Sequence, residues 1–515
     1  MEGLAKSDDA PQVLAPGTER VHDFLDEALL TAVDAPAVRD ASGGWTYRQL
    51  AERSREFGAW LDAQGVRRGD RLVVQAPSRR ELVAMLYGTL ARGVVFVPLN
   101  PGMKPFHLRS VLANAEPKLV IGAGAGVARL TEVTEAPVRD QDDVWREADE
   151  LAKSSPAGPP PAEVTPDDLA VLVYTSGSTA APKAVMSHHS HMAFAARAIA
   201  AVLRYRPDDV VFCRFPISWD YGLYKVLLAC LGRSELVLAD EESDLTLLRR
   251  MGETGATVVP IVPSLAQMIV ALGARARDGL PAVRLFTNTG AALPAATIRS
   301  LRELFPGVRV VRQYGQTECK RVTVMPPEED AERPDSVGVP LPGTRVLILD
   351  GEGKEVPTGE VGEIVAAGPH VMPGYWRAPE QTARVFRADP DTGEPRLHTG
   401  DYGWLDEDGY LYFQGRRDDM FKRRGIRMST VEIEAAATDV PGVEAACVVP
   451  PADGTDLAIV VEGEVESHAV LRELATRLEP AKVPALCRVV PRLPLTAHGK
   501  IAHREIAALL KEENL

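Results

Sequence analysis

Cysteine is scarce in this chain. Its 515 residues hold five (Cys213, Cys230, Cys319, Cys447 and Cys487), an odd and scattered set without the CxxC spacing used for zinc or redox chemistry. That pattern argues against a disulfide framework and suits reduced thiols in a cytoplasm. A basic excess is missing too. The 58 lysines and arginines face 72 acidic residues, a net charge of −14, which disfavours a protein that coats nucleic acid but leaves room for a small anion in a local pocket. No run is long and apolar enough to span a bilayer. The nearest, Ala256 to Leu272, is broken by Pro260, Pro263, Ser264 and Gln267 and reads as buried core. The N-terminus carries neither a basic segment before an apolar stretch nor a lipidation signal. The expectation is a cytoplasmic protein with neither a membrane nor a nucleic-acid partner.

What is present suffices for large cores: 45% hydrophobic and 25% charged residues, far from the composition of disordered chains. At the usual size of roughly 100–200 residues, the length allows several domains. Short β-branched runs alternate with amphipathic helical patterns through roughly the first 410 residues. Leu72–Gln75, Val94–Pro98, Lys118–Ile121, Ala170–Tyr174, Val258–Val262 and Val308–Arg312 read as strands, while Arg79–Ala91, Ser190–Leu203 and Ala295–Leu304 read as helices. The expected class is α/β, a large domain of mostly parallel, helix-covered sheets. Lys153–Pro166, rich in proline, reads as a linker or exposed loop. After about Leu341 the pattern turns to short strands and hairpins, a small β-rich subdomain, and from about Asp419 to a compact α+β region. The expected division is 1–417 and 418–515.

Several segments carry chemistry. In VLVYTSGSTAAPKAV (Val171–Val185) an apolar strand enters a loop of small hydroxylated residues ending in Pro-Lys. Backbone N–H groups, hydroxyls and one ammonium together suit a phosphate, although the Walker A spacing is absent. In QYGQTE (Gln313–Glu318) a carboxylate beside a hydroxyl at a strand end offers hard oxygen ligands for Mg²⁺. HTGD (His398–Asp401) places an acid on what reads as a tight turn, suited to two ribose hydroxyls. GRRDD (Gly415–Asp419) and PLTAHGK (Pro494–Lys500) open and close the C-terminal region.

Together with WTYRQL (Trp45–Leu50), ARGVVFVPLNP (Ala91–Pro101), TGAAL (Thr289–Leu293) and GEIVAAGPHVMPGYW (Gly362–Trp376), these segments run in one order along nearly the whole chain. In them the sequence resembles the adenylate-forming superfamily of acyl-CoA synthetases, luciferases and amino-acid adenylation enzymes. The resemblance implies ATP as cosubstrate, with Thr175, Ser176, Gly177, Ser178, Thr179 and Lys183 on its phosphates. It implies Gly290, Ala291, Ala292 and Tyr314 at adenine, and Asp401, Phe413 and Arg416 around the rest of the nucleotide. Thr317 and Glu318 would handle phosphate and Mg²⁺, and Asp418 would be the hinge of a mobile C-terminal domain. Lys500 matches the catalytic lysine, whose ammonium stabilises the charge that builds on the phosphoryl oxygens as a carboxylate attacks.

The chain departs from the family pattern where Ala180 and Ala184 replace glycines of the phosphate loop and where His498, Ala502 and His503 surround Lys500. Alanine loses the left-handed conformations open to glycine, so a stiffer loop is expected.

By the same resemblance the acid pocket is lined by Asp220, Tyr221, Tyr224, Thr287, Thr289, Gln313, Arg321 and Val322. Asp220 is expected to pair with a substrate ammonium; its plainer alternative is a helix N-cap. Arg321 beside Lys320 is ordinarily surface charge, and turned inward it would meet a second carboxylate or polar group. The chain runs fifteen residues past Lys500 without a phosphopantetheine attachment motif. The expected function is ATP-dependent activation of an amino acid and its transfer to a separate carrier protein. The alternative is an acyl-CoA synthetase acting on a small acid with CoA as acceptor.

Overall fold

The computed structural model describes residues 17–103, 105–154, 162–175, 183–239, 243–276, 279–416, 420–423, 426–451, 456–478, 480, 482–495 and 501–511. Residues 155–161 of the proline-rich Lys153–Pro166 segment, Ser176 to Thr179, Ala180, Asp418, His498 and Lys500 lie outside them. Two large sheets dominate. In one, six strands run in the order Val138–Asp140, Leu119–Gly122, Arg71–Gln75, Val95–Pro98, Leu169–Thr175 and Lys183–His188. All pair in parallel except the last, which returns antiparallel to its neighbour. In the other, nine strands centre on the parallel run Arg309–Tyr314, Leu285–Asn288, Val258–Ile261, Val210–Cys213, Glu235–Leu238 and Pro36–Asp40.

These strands are apolar on both faces because helices cover both. Leu72 and Val74 pack into a core that reaches Val211 and Phe286 of the nine-stranded sheet, whereas Val73 between them packs with Leu108 and Leu112. Such burial on both sides produces continuous apolar runs, which is why the strand positions were readable. The helices Tyr47–Ala63, Arg80–Ala91, His189–Leu203 and Asp220–Gly232 supply much of the shared core, including Trp60, Tyr87, Met192 and Leu227. The Ala256–Leu272 stretch resolves into the strand Val258–Ile261 and the helix Pro263–Gly273. Among the described residues no helix is long and apolar enough to cross a membrane.

The third sheet is antiparallel and built from Arg345–Leu349, Gly362–Ala367, Pro395–Leu405, Phe386–Ala388 and Leu411–Arg416. Its apolar residues form their own cluster with Tyr314, Cys319 and Val322. Towards the C-terminus, Val443–Val449, Ala458–Gly463 and Leu486–Val490 make a three-stranded sheet, with Ile433, Val461 and Leu474 in a separate core. All five cysteines are buried and free.

Two expectations need correction. Asp401 does not sit on a turn; it lies inside the long strand Pro395–Leu405. The pairing slips there, so that Glu363 faces Tyr402 while Val365 faces His398. Gly400 absorbs the extra length at φ +71°, a conformation open to glycine. The linker reading also starts too early, because the helix Gln141–Ser154 continues through Lys153. Ala184 lies in the strand Lys183–His188 with its methyl group buried, and it is not among the residues at positive φ. Its replacement of glycine therefore carries no backbone strain.

Several histidines are buried in uncharged form. Burial lowers His22, His191 and His370 to about 4 and His189 to about 3, from an ordinary value of 6.5. The amide of Val21 donates to Nδ1 of His189 at 3.1 Å, which requires a free lone pair on that nitrogen. An unfolded chain takes up protons on these rings near 6.5 while the folded chain refuses them until about 4, so stability is complete above 6.5 and falls as the pH drops below it. Thermal unfolding followed across that range is expected to show a Tm plateau above neutrality and a steady fall below it. A Tm unchanged down to pH 5 contradicts this account.

Candidate active site

The carboxyl ends of the parallel strands of the nine-stranded sheet, the edge beside which open α/β sheets keep their ligand crevice, carry the candidate residues. Thr287 and Thr289 stand at the end of the strand Leu285–Asn288, and Gln313 and Tyr314 at the end of Arg309–Tyr314. Facing them is the first turn of the helix Asp220–Gly232. That helix starts close against the preceding chain, because a Cβ on Gly222 would collide with the carbonyl oxygens of Phe215 and Pro216. Asp220 is its first residue and Trp219 takes the N-cap position, so the N-cap alternative for Asp220 does not hold.

Three charges meet here out of water. The Lys320 ammonium lies 2.9 Å from Asp220 Oδ1, and the Arg321 guanidinium 3.9 Å from Asp220 Oδ2. Their side chains are 0%, 6% and 10% exposed for Lys320, Arg321 and Asp220, so Arg321 is not surface charge. Lys320 also donates to Ser187 Oγ at 3.1 Å and lies 5.6 Å from the Tyr224 ring. Arg321 donates from Nε to Gln313 Oε1 at 2.9 Å and lies 5.0 Å from the Tyr221 ring. The Tyr221 hydroxyl donates to the Thr287 carbonyl at 2.5 Å and is 2.9 Å from Thr287 Oγ1, while burial pushes its pKa up.

Two consecutive buried cations need an unusual backbone. Lys320 sits at φ +67°, left-handed and strained for a residue with a side chain. Gly315 admits the loop beneath it, since a Cβ there would lie 2.5 Å from the Lys320 carbonyl and 2.6 Å from Arg321 Cα. Strain of this kind at a strand terminus marks a site where position matters more than local ease.

A second hub lies at Asp401. Its Oδ2 accepts from the Tyr314 hydroxyl at 2.7 Å and from Gln316 Nε2 at 2.9 Å, and Arg416 Nε stands 3.4 Å from its Oδ1. The rings of Tyr314 and Phe413 are 5.3 Å apart. The expected nucleotide residues Tyr314, Asp401, Phe413 and Arg416 thus converge, and Gly290, Ala291 and Ala292 form an exposed loop stabilised by a hydrogen bond from Asn288 Nδ2 to the Ala291 carbonyl, 3.0 Å.

Lys183 and Glu318 come together through a residue to which the sequence had given no role. Gly374–Trp376 runs beside the strand Lys183–His188, with Met186 N donating to Gly374 O and Trp376 N to Ala184 O. Tyr375 between them donates to Glu318 Oε1 at 2.7 Å, and its ring lies 5.4 Å from the Lys183 ammonium. Thr175 pairs with Lys183 where the strands Leu169–Thr175 and Lys183–His188 run antiparallel. Thr317 shares the loop with Glu318 and is half-buried.

Among the expected acid-pocket residues, Asp220, Tyr221, Tyr224, Thr287, Gln313 and Arg321 are joined by the contacts above, and Thr289 is buried next to them in sequence. Val322 instead packs with Tyr314, Cys319 and Ile348. Lys320, Ser187 and Lys225 were not anticipated. A lone lysine inside the otherwise apolar DYGLYKVLLACLG was the signal for Lys225; Lys320 gave none, because a Lys-Arg pair in a polar loop reads as surface.

The family descriptions that match are "AMP-binding enzyme" over 25–376 and "AMP-binding enzyme C-terminal domain" over 432–500. A feruloyl-CoA synthase from an Amycolatopsis species is 31% identical over 489 residues, covering 92% of this chain and 95% of that protein. Enterobactin synthase component F of Escherichia coli (strain K12) is 30% identical, covering 96% of this chain and 40% of that protein. The crystal structure of VinN is similar at 55% identity and a TM-score of 0.74, over 78% of this chain and 100% of that one. VinN is also known in complex with L-aspartate, at 54% identity and a TM-score of 0.73, and with 3-methylaspartate, at 51% and 0.67.

The Asp401 hub yields a separable prediction. Asp401→Asn is expected to raise the KM for ATP roughly tenfold or more, the worth of a charge-assisted hydrogen bond, with the KM for the acid nearly unchanged. Steady-state kinetics in which both KM values move together would show that Asp401 supports the site as a whole instead.

Proposed function

This chain belongs to the AMP-binding enzymes, adenylate-forming ligases, and from that premise we propose that it activates an amino acid bearing a second carboxylate. The observation that carries the proposal is the buried set of Asp220 with Lys320 and Arg321. One acid against two cations leaves an excess positive charge in the crevice, and an aspartate-type molecule with two carboxylates and one ammonium neutralises it. An amine meets Asp220, whose two oxygens offer about four lone-pair sites, more than Lys320 uses. A second carboxylate meets Lys320 and Arg321, the latter able to grip it with two parallel N–H groups. The complexes of VinN with L-aspartate and 3-methylaspartate support this class. So does the charge itself, since a neutral aryl chain such as a feruloyl group would leave these cations unmatched.

In the proposed reaction the carboxylate left free by these contacts attacks the α-phosphorus of ATP. A carboxylate O–P bond forms, the bond to the β-phosphate oxygen breaks, and pyrophosphate leaves. Lys183 stands ready for the phosphate side, and Lys500 would neutralise charge at the α-phosphoryl oxygens. Among the described residues no cluster of three or more His, Cys, Asp or Glu could hold a metal. That fits Mg²⁺ carried chiefly by phosphate oxygens and water, with Glu318 as the one protein carboxylate. The acceptor we propose is the phosphopantetheine thiol of a separate carrier protein, with CoA, named in the similar feruloyl-CoA synthase, as the alternative. The division into a core of 1–417 and a mobile unit of 418–515 that carries Lys500 belongs to the same proposal.

The test is pyrophosphate release from ATP and Mg²⁺ with L-aspartate, 3-methylaspartate, succinate, 3-aminobutanoate and ferulate, first alone and then with CoA. The amino dicarboxylates are expected to exceed every analogue at least tenfold in kcat/KM, the worth of one charged contact. Preference for ferulate, or CoA-dependent AMP release with an acid that lacks the amine, would favour an acyl-CoA synthetase and overturn the reading.

A further inference from the structure

The helix Asp220–Gly232 carries two side-chain pairs spaced four residues apart. Asp220 and Tyr224 meet Lys320; Tyr221 and Lys225 meet Arg321 or share its ring. The first pair belongs to the acid pocket already described. The second contains a lysine that neither the fold nor the proposed chemistry accounts for.

Lys225 is 1% exposed in a helix whose neighbours Leu223, Val226, Leu227 and Leu228 are all core. Its ammonium lies 4.4 Å from the centre of the Tyr221 ring and donates to the Tyr205 hydroxyl at 3.4 Å. Among the described residues no carboxylate forms an ion pair with it. Asp209, the acid that bears on Tyr205, is occupied by Arg284 and by Thr257, whose hydroxyl donates at 2.8 Å. The groups that bear on Lys225 are Tyr221 on its own helix, Tyr205 beyond the helix His189–Leu203, Cys213 on the strand Val210–Cys213, and Arg321 on the loop after Tyr314. Arg321 is the one cation among them, and it lies against the same Tyr221 ring at 5.0 Å.

A buried lysine beside another cation is costly, and a methionine of similar length would fill the space without that cost. Folding therefore does not call for it. Burial and the Arg321 charge together lower its pKa to about 7, so in the empty pocket at mildly alkaline pH it is largely an uncharged amine. Both tyrosines are pushed upward by burial and keep their protons.

We propose that Lys225 is a positioning residue that matches the charge of the substrate, taking up a proton from solvent as a second carboxylate docks on Arg321. The anion cancels the repulsion that Arg321 exerts through the Tyr221 ring. By linkage, a protonated Lys225 must then strengthen binding of the anion to the same degree. The proton goes to Nζ and stays there while the acid is bound; no bond in the substrate changes. Tyr221, whose ring contacts both cations and whose hydroxyl is fixed by Thr287, transmits the state of Lys225 to the pocket wall. The inference rests on the reading that the substrate carries a second carboxylate.

The sign follows from the lowered pKa. Below about 7 Lys225 is already protonated and binding pays nothing for it, whereas above that value each binding event must draw a proton from solvent, so affinity falls as the pH rises. The KM for L-aspartate in pyrophosphate release should rise roughly three- to tenfold between pH 6.5 and 8.5 in the native enzyme, beyond any rise in Lys225→Met. Lys225→Arg, permanently charged, should hold the low-pH KM throughout. Titration calorimetry of the native enzyme with L-aspartate in buffers of different ionisation enthalpy should show uptake of a fraction of a proton at pH 8. Identical pH profiles for the native enzyme and Lys225→Met, or no proton uptake by the native enzyme if that variant does not fold, overturn this inference alone. A native enzyme that turns over neither L-aspartate nor 3-methylaspartate overturns the substrate reading and this inference with it.

Discussion

The crevice is organised by one electrostatic constraint: Asp220 must neutralise two buried cations that no other described carboxylate pairs with. Removing one partner of such a set leaves an uncompensated charge, at about 3–5 kcal/mol. The surrounding structure is arranged to hold it. The helix Asp220–Gly232 is seated on the preceding backbone by Gly222, the cation loop is admitted by Gly315, and the left-handed Lys320 aims two neighbouring side chains inward. Gln313 and Thr287, at the ends of adjacent parallel strands, fix Arg321 and Tyr221 in turn. The sheet serves as a rigid frame, and the charges sit where its strands stop.

The Asp401 hub is built on different principles and from different elements. Asp401 stands where the strand Pro395–Leu405 slips its register, and it gathers Tyr314, Gln316 and Arg416 around one carboxylate. Lys183 and Glu318 are tied by Tyr375, whose segment adds itself to the edge of the six-stranded sheet. Tyr314 belongs to both regions. It ends the strand that places Gln313 beside Arg321, and its hydroxyl donates to Asp401. A single strand terminus thereby joins the two clusters.

Much of the fold was legible because parallel strands covered on both faces leave continuous apolar runs, and Leu72–Gln75 or Val258–Val262 differ from the observed strands by one residue at one end. The residues gathered around Asp401 and around Asp220 were named in the sequence through its ordered motifs, as expectations of nucleotide and acid binding. What could not be read depended on contacts between distant segments. Asp401 looked like a turn because the glycine before it absorbs a bulge that is defined only by its pairing with Gly362–Ala367. Arg321 and Lys320 looked like surface because charged pairs in loops usually are, and only the closing of the 315–321 loop onto Asp220 shows otherwise. Tyr375 lies some 57 residues along the chain from Glu318, a separation that no local pattern bridges.

We propose that the buried cations Lys320 and Arg321 receive a carboxylate of the substrate. This is tested most directly by kcat/KM for L-aspartate and for 3-aminobutanoate in Arg321→Met. A loss of roughly tenfold or more is expected with L-aspartate, and little change or a gain with the analogue that lacks the second carboxylate. An equal loss with both acids would contradict it, making Arg321 a structural partner of Asp220 and nothing more.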